Sequence, residues 1–412
     1  MTNFDKYKKL KSQFNYIHKG IYLNRVLSLQ LWILANSKCS SFSLRSIIKI
    51  FLAKDINKLS FRPNIHTILT TFGDESRREY IKLYNNIITK IGNIASINYM
   101  AQIGHRITFS LNSFACLVKS FALLKNTDLT FKQKCQLAVN TAYYCNTIDL
   151  LERRSLSPNK YLCMCHVLGI DNLLTQYFKL KNIPTYSLQE GIYFLFGDNP
   201  PLDSILYENF ETDHLLCWGK YTADEYNKYG IENHRLNVAG FPKDFYSSEI
   251  IIKKPLKKCL VLLARESFNT ANIKLIELLS KFSNIYDFHL KLHPTCDVAL
   301  FHKLAERNNM WLVDPNKTIN DCLKNKGFDF SIAINTTAYY EILMNGIPCL
   351  RFHDETFVLM TGLYDFFTNE SQFESQISLL QTIPEHQYQD NVNQLLEYAI
   401  GLGIDNYMDM IK

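Results

Sequence analysis

The residues best suited to chemistry stand just after short apolar runs. His293-Pro294 closes the run IYDFHLKLHP (285–294). Tyr286, Phe288, Leu290 and Leu292 alternate along it, the period of a buried strand. Proline cannot donate to a ladder, so the imidazole of His293 belongs at the carboxyl end of that strand. Asn335-Thr336-Thr337 follows a second run, FDFSIAI (328–334), and a helix opens at Ala338-Tyr339-Tyr340-Glu341. Hydroxyls and free backbone N–H groups at a helix start converge on one spot, which suits an anion. Arg265 follows the apolar Leu260–Leu263 and offers a guanidinium able to grip phosphate in bidentate fashion. In open α/β sheets ligands bind at the carboxyl ends of strands. These groups together predict a phosphate-bearing ligand. Glu190 lies at a strand end of its own, in Gln189-Glu190-Gly191 after IPTYSL (183–188). Arg77, in the charged stretch after IHTILTTF (65–72), is placed either to meet an anionic acceptor or, more commonly, to cover a helix surface.

The elements that must position these residues follow a regular cycle. From residue 258 strands are expected at 258–264, 285–292, 311–313, 328–334 and 347–352, with helices between them. Such alternation specifies a doubly wound parallel sheet. The first half carries a βαβ unit: strand Tyr161–Val167, helix Asp171–Leu180 capped by Asp171, strand Ile183–Leu188. Another strand is expected at His214–Trp218, and helices at Ile107–Leu124 and Phe131–Leu151. Residues 1–58 read as helical, with Leu23, Val26, Leu27, Leu31 and Leu34 at helical spacing. That face either packs on the domain or lies on a membrane surface. The organisation expected is a Rossmann-like domain over 1–245 and a second over 246–380. Helices at 381–412 are expected to cross back to the first.

Composition narrows the function. At 412 residues the chain exceeds one ordinary core. With 47% hydrophobic and 20% charged residues it reads as soluble and globular. A net charge of +6, densest at Lys6, Lys8, Lys9 and Lys11, is too mild for a nucleic-acid binder. It suits an anionic substrate or weak attraction to an anionic membrane surface. The 11 cysteines include no C-x-x-C pair, which argues against a zinc site and for reduced thiols in the cytoplasm. No D-x-D pair offers a metal seat for a diphosphate, so no metal or other cofactor is expected. The amino terminus does not read as a signal peptide, and Ile21–Ala35 is too short to span a bilayer. Any membrane contact would be peripheral, at the inner face.

Four segments in order carry a resemblance. DNLLTQYFKLKNIPTYSLQEGIY resembles capsule and lipopolysaccharide glycosyltransferases with a "QHG"-type segment, and WGKYTADEYNKYGI with VAGFPKDFY resembles their passage into a second domain. LKLHP resembles the HP motif of bacterial sialyltransferases, Kdo transferases and polyol-phosphate transferases, and NTTAYYEILMNGIPCL resembles their hydroxyl-pair motif. The likeness covers roughly 160–355 and implies the GT-B fold, two Rossmann-like domains across a cleft. It implies that His293, Thr336 and Thr337 hold donor phosphate, and that Glu190 is the general base. Glu341 would meet ribose hydroxyls, Asp314 the nucleobase, and Gln189 and Gly191 the acceptor side. One departure matters: those families show two acids or a histidine where this chain has the single Glu190. The function implied is transfer of a sugar from a nucleotide donor, with a CMP-linked ulosonic acid favoured, to a saccharide or lipid-linked acceptor. The alternatives are a polyol-phosphate or UDP-hexose transferase, a hydrolysing epimerase, and a non-catalytic saccharide- or nucleotide-binding module.

Overall fold

The computed structural model describes the chain apart from residues 38–39, 56–66, 72–77, 93, 99–103, 109–110, 155, 193–196, 198–199, 243–247, 325–326, 402, 404–405 and 412. Two small antiparallel pairs come from residues 17–107: β1 (Ile17–His18) with β2 (Ile21–Tyr22), and β3 (Leu52–Lys54) with β6 (His105–Ile107). The first is a tight hairpin whose turn, Lys19-Gly20, takes φ values of 49° and 83°. The remaining strands form two six-stranded sheets, each parallel throughout.

The first sheet contains β4 (Thr67–Thr71), β5 (Ile94–Asn98), β7 (Lys160–Cys163), β8 (Thr185–Leu188), β9 (His214–Cys217) and β10 (Leu236–Val238), in the order β10-β9-β8-β7-β4-β5. Its direction of growth reverses between β4 and β7. The second contains β11 (Lys258–Leu262), β12 (Asp287–Lys291), β13 (Trp311–Leu312), β14 (Phe330–Ala333), β15 (Cys349–Phe352) and β16 (Phe366–Phe367), ordered β13-β12-β11-β14-β15-β16. Here the reversal falls between β11 and β14. A strand covered by helices on both faces needs apolar residues on both sides, which is why β14 and β15 are buried at every position. Each sheet is Rossmann-like, and each reversal makes a crevice at the carboxyl ends of its strands.

Several expectations shift. The strand expected over Tyr161–Val167 spans Lys160–Cys163, so Met164 to Val167 stand in the following loop. The next helix starts at Gly169, whose φ of 52° turns the chain, and Asp171 lies inside its first turn rather than capping it. Strands β5, β10 and β16 were not anticipated; β16 is two residues long and carries no period. The apolar face at Leu23, Val26, Leu27, Leu31 and Leu34 is buried in the core of the first domain, not laid on a surface. Among the described residues no helix is long and apolar enough to cross a membrane.

The C-terminal helices touch both lobes. Gly219 lies so close to the helix Glu385–Ile400 that a Cβ there would stand 2.4 Å from Tyr398 O. Beyond it, Tyr407 is fully buried beside Leu69 and Leu216 of the first sheet, and its hydroxyl donates to Gly240 O at 2.9 Å.

Candidate active site

The carboxyl edges of the two sheets face each other. Trp218, just past β9, and Phe241, just past β10, share a narrow crevice with Thr337, Tyr340, Glu341 and Met344 of the second domain. The loop after β8 also crosses: Asp203 pairs with Arg265 beyond β11, and Gly197 approaches Val358. Trp218, Tyr221 and Phe241 belong to one buried apolar cluster with the second sheet, so this approach is a packed contact.

On the second domain, His293 is half-buried two residues past β12. Its Nδ1 lies 2.9 Å from Thr295 Oγ1 and accepts the Thr295 backbone N–H at 3.2 Å. Thr295 Oγ1 in turn accepts from Glu266 N at 3.1 Å. With Nδ1 accepting, this network assigns the ring proton to Nε2. The hydrogen bonds also tie the loops after β11 and β12 together and lock the ring's orientation.

Asn335, Thr336 and Thr337 bridge β14 and the helix Ala338–Met344. Thr336 Oγ1 accepts from Ala338 N at 3.4 Å, whereas Thr337 makes no capping bond and lines the crevice with Glu341. Asn335 sits at a φ of 30°, in the left-handed region. Its amide is spent on the backbone of a neighbouring loop, donating to Val358 O at 3.1 Å and accepting from Met360 N at 3.0 Å. That loop is clamped from below by Arg351, a buried side chain that sequence reading missed. Its Nε donates to Asp365 Oδ1 at 2.6 Å, its other nitrogens donate to Met360 O and Leu363 O, and Tyr339 donates to Asp365. The one available signal was an arginine inside the apolar strand IPCLRF.

On the first domain, Glu190 is half-buried directly after β8, and its charge acts on Cys165, Asp171 and Tyr226. It thus belongs to the polar group at the β4/β7 reversal. There Tyr161 O–H lies 2.8 Å from Thr70 Oγ1, and Thr70 donates to Asp171 Oδ1 at 2.8 Å. Burial pushes the Asp171 carboxyl up to about 7, against the hydrogen bonds from Thr70 and the backbone. A second buried group, His166, is pushed down to about 3 by burial and by Arg235, Arg25 and Lys179.

The other expected site residues divide. Gln189 is 2% exposed and fully engaged: its Oε1 accepts from Trp218 N at 2.6 Å, and its Nε2 donates to Gly191 O at 2.6 Å and Thr222 Oγ1 at 3.0 Å. It therefore braces the loop that carries Glu190. Arg265 is engaged with Asp203 across the cleft rather than open to a ligand, and stands 5.6 Å over Phe268. Asp314 is exposed and folds its own turn, accepting from Asn316 N at 2.9 Å. Arg77 lies outside the described residues. Among the described residues the one grouping with metal-ligand character is His18, Cys116 and Cys145 in the first domain. His18 there is bonded to Asp149 at 2.9 Å.

No family model matches the chain, and no curated protein sequence matches it. Among solved structures it is similar to the apo form of the lipopolysaccharide outer core galactosyltransferase WaaB, with a TM-score of 0.50 and 12% identity over 84% of this chain and 98% of that one. It is also similar to the UDP-GlcNAc 2-epimerase of Neisseria meningitidis bound to UDP-GlcNAc (TM-score 0.46, 16% identity, 84% and 98% covered). A third is TarM (TM-score 0.42, 13% identity, 67% and 59% covered). The likeness to the first of these supports the GT-B architecture and not the narrower sialyltransferase, Kdo-transferase or polyol-phosphate-transferase likeness. The chain is an α/β protein of two Rossmann-like domains with a GT-B glycosyltransferase-like fold.

Proposed function

We propose that this protein is a glycosyltransferase of surface-polysaccharide assembly. It moves a sugar from a nucleotide-linked donor onto a saccharide or lipid-linked glycan. The observation that carries this reading is the meeting of the two carboxyl edges: Trp218 and Phe241 of one lobe close on Thr337 and Glu341 of the other.

In the step proposed, an acceptor hydroxyl attacks the anomeric carbon, and its proton passes to the carboxylate of Glu190. The bond from that carbon to the donor phosphate breaks, and its electron pair leaves on the phosphate oxygen. His293 donates its Nε2–H to that phosphate, and the Thr336 and Thr337 hydroxyls add to it, in a cleft that excludes water. Arg265 joins them by exchanging Asp203 for phosphate. Glu341 meets the ribose and Asp314 the base. Gln189, Gly191 and Arg77 serve the acceptor side, Gln189 by holding the loop. Charge on the leaving group is met by these side chains, so the transfer proposed needs no metal. The protein acts in the cytoplasm at the inner face of the membrane.

The test is a thermal-shift panel of CMP, CDP, UDP and GDP, followed by turnover assays with the nucleotide sugars of whichever binds. A response to CMP alone identifies the CMP-linked ulosonic donor that the motifs favour; a response to UDP alone identifies a UDP sugar. Glu190→Gln should lose about 10²–10⁴-fold in turnover with nucleotide binding intact, and His293→Ala should weaken binding. EDTA should leave turnover unchanged. No stabilisation by any nucleotide would sink the transferase reading in favour of a non-catalytic module.

A further inference from the structure

We infer that one face of the first domain, built from residues 44–51, 105–107 and the helix Leu111–Leu124, docks on the surface of an anionic lipid bilayer. Large apolar side chains crowd this face in the open: Leu44 is 83% exposed, Ile48 61%, Ile107 68%, Phe114 50% and Val118 72%. They form one surface although three segments supply them. Leu52 pairs with Ile107 in the β3/β6 ladder, Thr108 N donates to Phe51 O at 2.8 Å, and the Phe51 and Phe114 rings meet edge to face at 6.1 Å.

The face is held in place from below. Asn146 is 2% exposed; its Nδ2 donates to Ile50 O at 2.8 Å and Leu52 O at 3.1 Å, and its Oδ1 accepts from Ser113 Oγ at 2.6 Å. Ile50 turns inward at 6% exposure. The short 3₁₀ helix Leu44–Phe51 and the helix Leu111–Leu124 are thus pinned to one buried amide, with Leu44, Ile48, Phe114 and Val118 left on the outside. A folded protein that fixes a cluster of apolar residues outward has built an interaction surface.

Charge selects the partner. Arg45, Lys49, Arg106 and Lys119 are exposed on the same segments as the apolar residues. No Asp or Glu occurs anywhere in 40–54 or 104–127. Burial lowers the half-buried Lys54 to about 8, and Lys49 adds to the effect. His105 is lowered too, by burial and then by Lys54 and Lys49. Two copies of this face would oppose like charges, so self-association is disfavoured. A nucleic acid would leave the apolar centre without a partner. An interface of acyl chains below anionic headgroups satisfies both the greasy centre and the basic rim. β6 comes next in the chain after β5, an edge strand of the first sheet. Docking there would bring a lipid-linked acceptor to the first domain, which deepens the function proposed above, but the binding itself does not depend on that function.

The test is sedimentation of the full-length protein with vesicles of phosphatidylglycerol and phosphatidylethanolamine, against vesicles of phosphatidylcholine. The native chain should partition at least tenfold more strongly onto the anionic vesicles. Ile48→Glu with Val118→Glu should lower that partition tenfold or more. Arg45→Ser with Lys49→Ser should lower it several-fold and flatten its dependence on salt. Each variant should keep the native melting temperature and nucleotide-induced shift, so a failure of docking is distinguishable from a failure of the transferase reading. Equal partition onto both vesicle types, or apolar variants that bind like the native chain, would overturn the inference. So would a concentration-dependent dimer, seen by light scattering, that the same variants abolish.

Discussion

Replacing Arg351 by leucine should cost more than any surface change in the second domain. Arg351 is 3% exposed and Asp365 4% exposed, so the pair is shielded from solvent. Its Nε donates to Asp365, and its remaining nitrogens satisfy the carbonyls of Met360 and Leu363. The guanidinium also lies 5.0 Å over the Tyr339 ring. Leucine removes all of these bonds and leaves the Asp365 carboxylate buried with Tyr339 as a hydrogen-bond donor. Removing one partner of a buried ion pair costs about 3–5 kcal/mol. At roughly 2–4 °C per kcal/mol for a domain of this size, the second-domain transition should fall by on the order of 10 °C. The effect should reach the site, because the loosened loop is the one that Asn335 grips through Val358 and Met360. The assay is urea and thermal unfolding followed by circular dichroism, with the single variants Arg351→Leu and Asp365→Leu and their combination. The double variant should recover much of the loss, since two apolar groups leave no charge stranded. A loss below about 1 kcal/mol for Arg351→Leu, or strictly additive losses in the double variant, would refute the reasoning.

Three further outcomes follow from the packing of the two domains. Asp171 has its pKa raised to about 7 by burial, so the stability tied to its protonated form is present in acid and lost as the pH rises toward and through 7. Asp171→Asn keeps a neutral group there, so its urea midpoint should improve relative to the native chain between pH 5 and pH 8; a pH-independent difference would contradict this. Gly219 has an ordinary φ of −125°, so Gly219→Val fails for steric reasons alone, its Cβ meeting Tyr398 O at 2.4 Å. It should free the C-terminal helices and expose them to limited proteolysis, and a native-like digestion pattern would count against the packing described. The Asp203–Arg265 pair is exposed, so Asp203→Asn should change stability by less than about 1 kcal/mol. By releasing the guanidinium it should tighten nucleotide binding several-fold in calorimetry; unchanged affinity would remove Arg265 from the phosphate site.

Much of this architecture was open to inspection in the chain itself. Continuous apolar runs bounded by turn residues mark β11, β14 and β15 because strands buried on both faces admit few polar residues, and alternation marks β12. His293, Glu190 and Thr337 were locatable because each follows such a run, and a strand's carboxyl end is a property of order along the chain. Elements too short for a period, such as β16, left no mark. Neither did the partners of a side chain. Asn335 and Arg265 are polar groups near the right edge, yet one holds a loop and the other reaches Asp203, 62 residues away. Sequence order determined the two sheets and which residues crown them, since local periodicity and turn chemistry act between near neighbours. The tertiary structure decided what each crown residue touches: that Thr295 holds the His293 ring, that Gln189 and Asn335 are braces, and that Leu44, Ile48 and Val118 stay outside. Those outcomes depend on groups brought together from distant parts of the chain, where burial and hydrogen-bond geometry override any local preference.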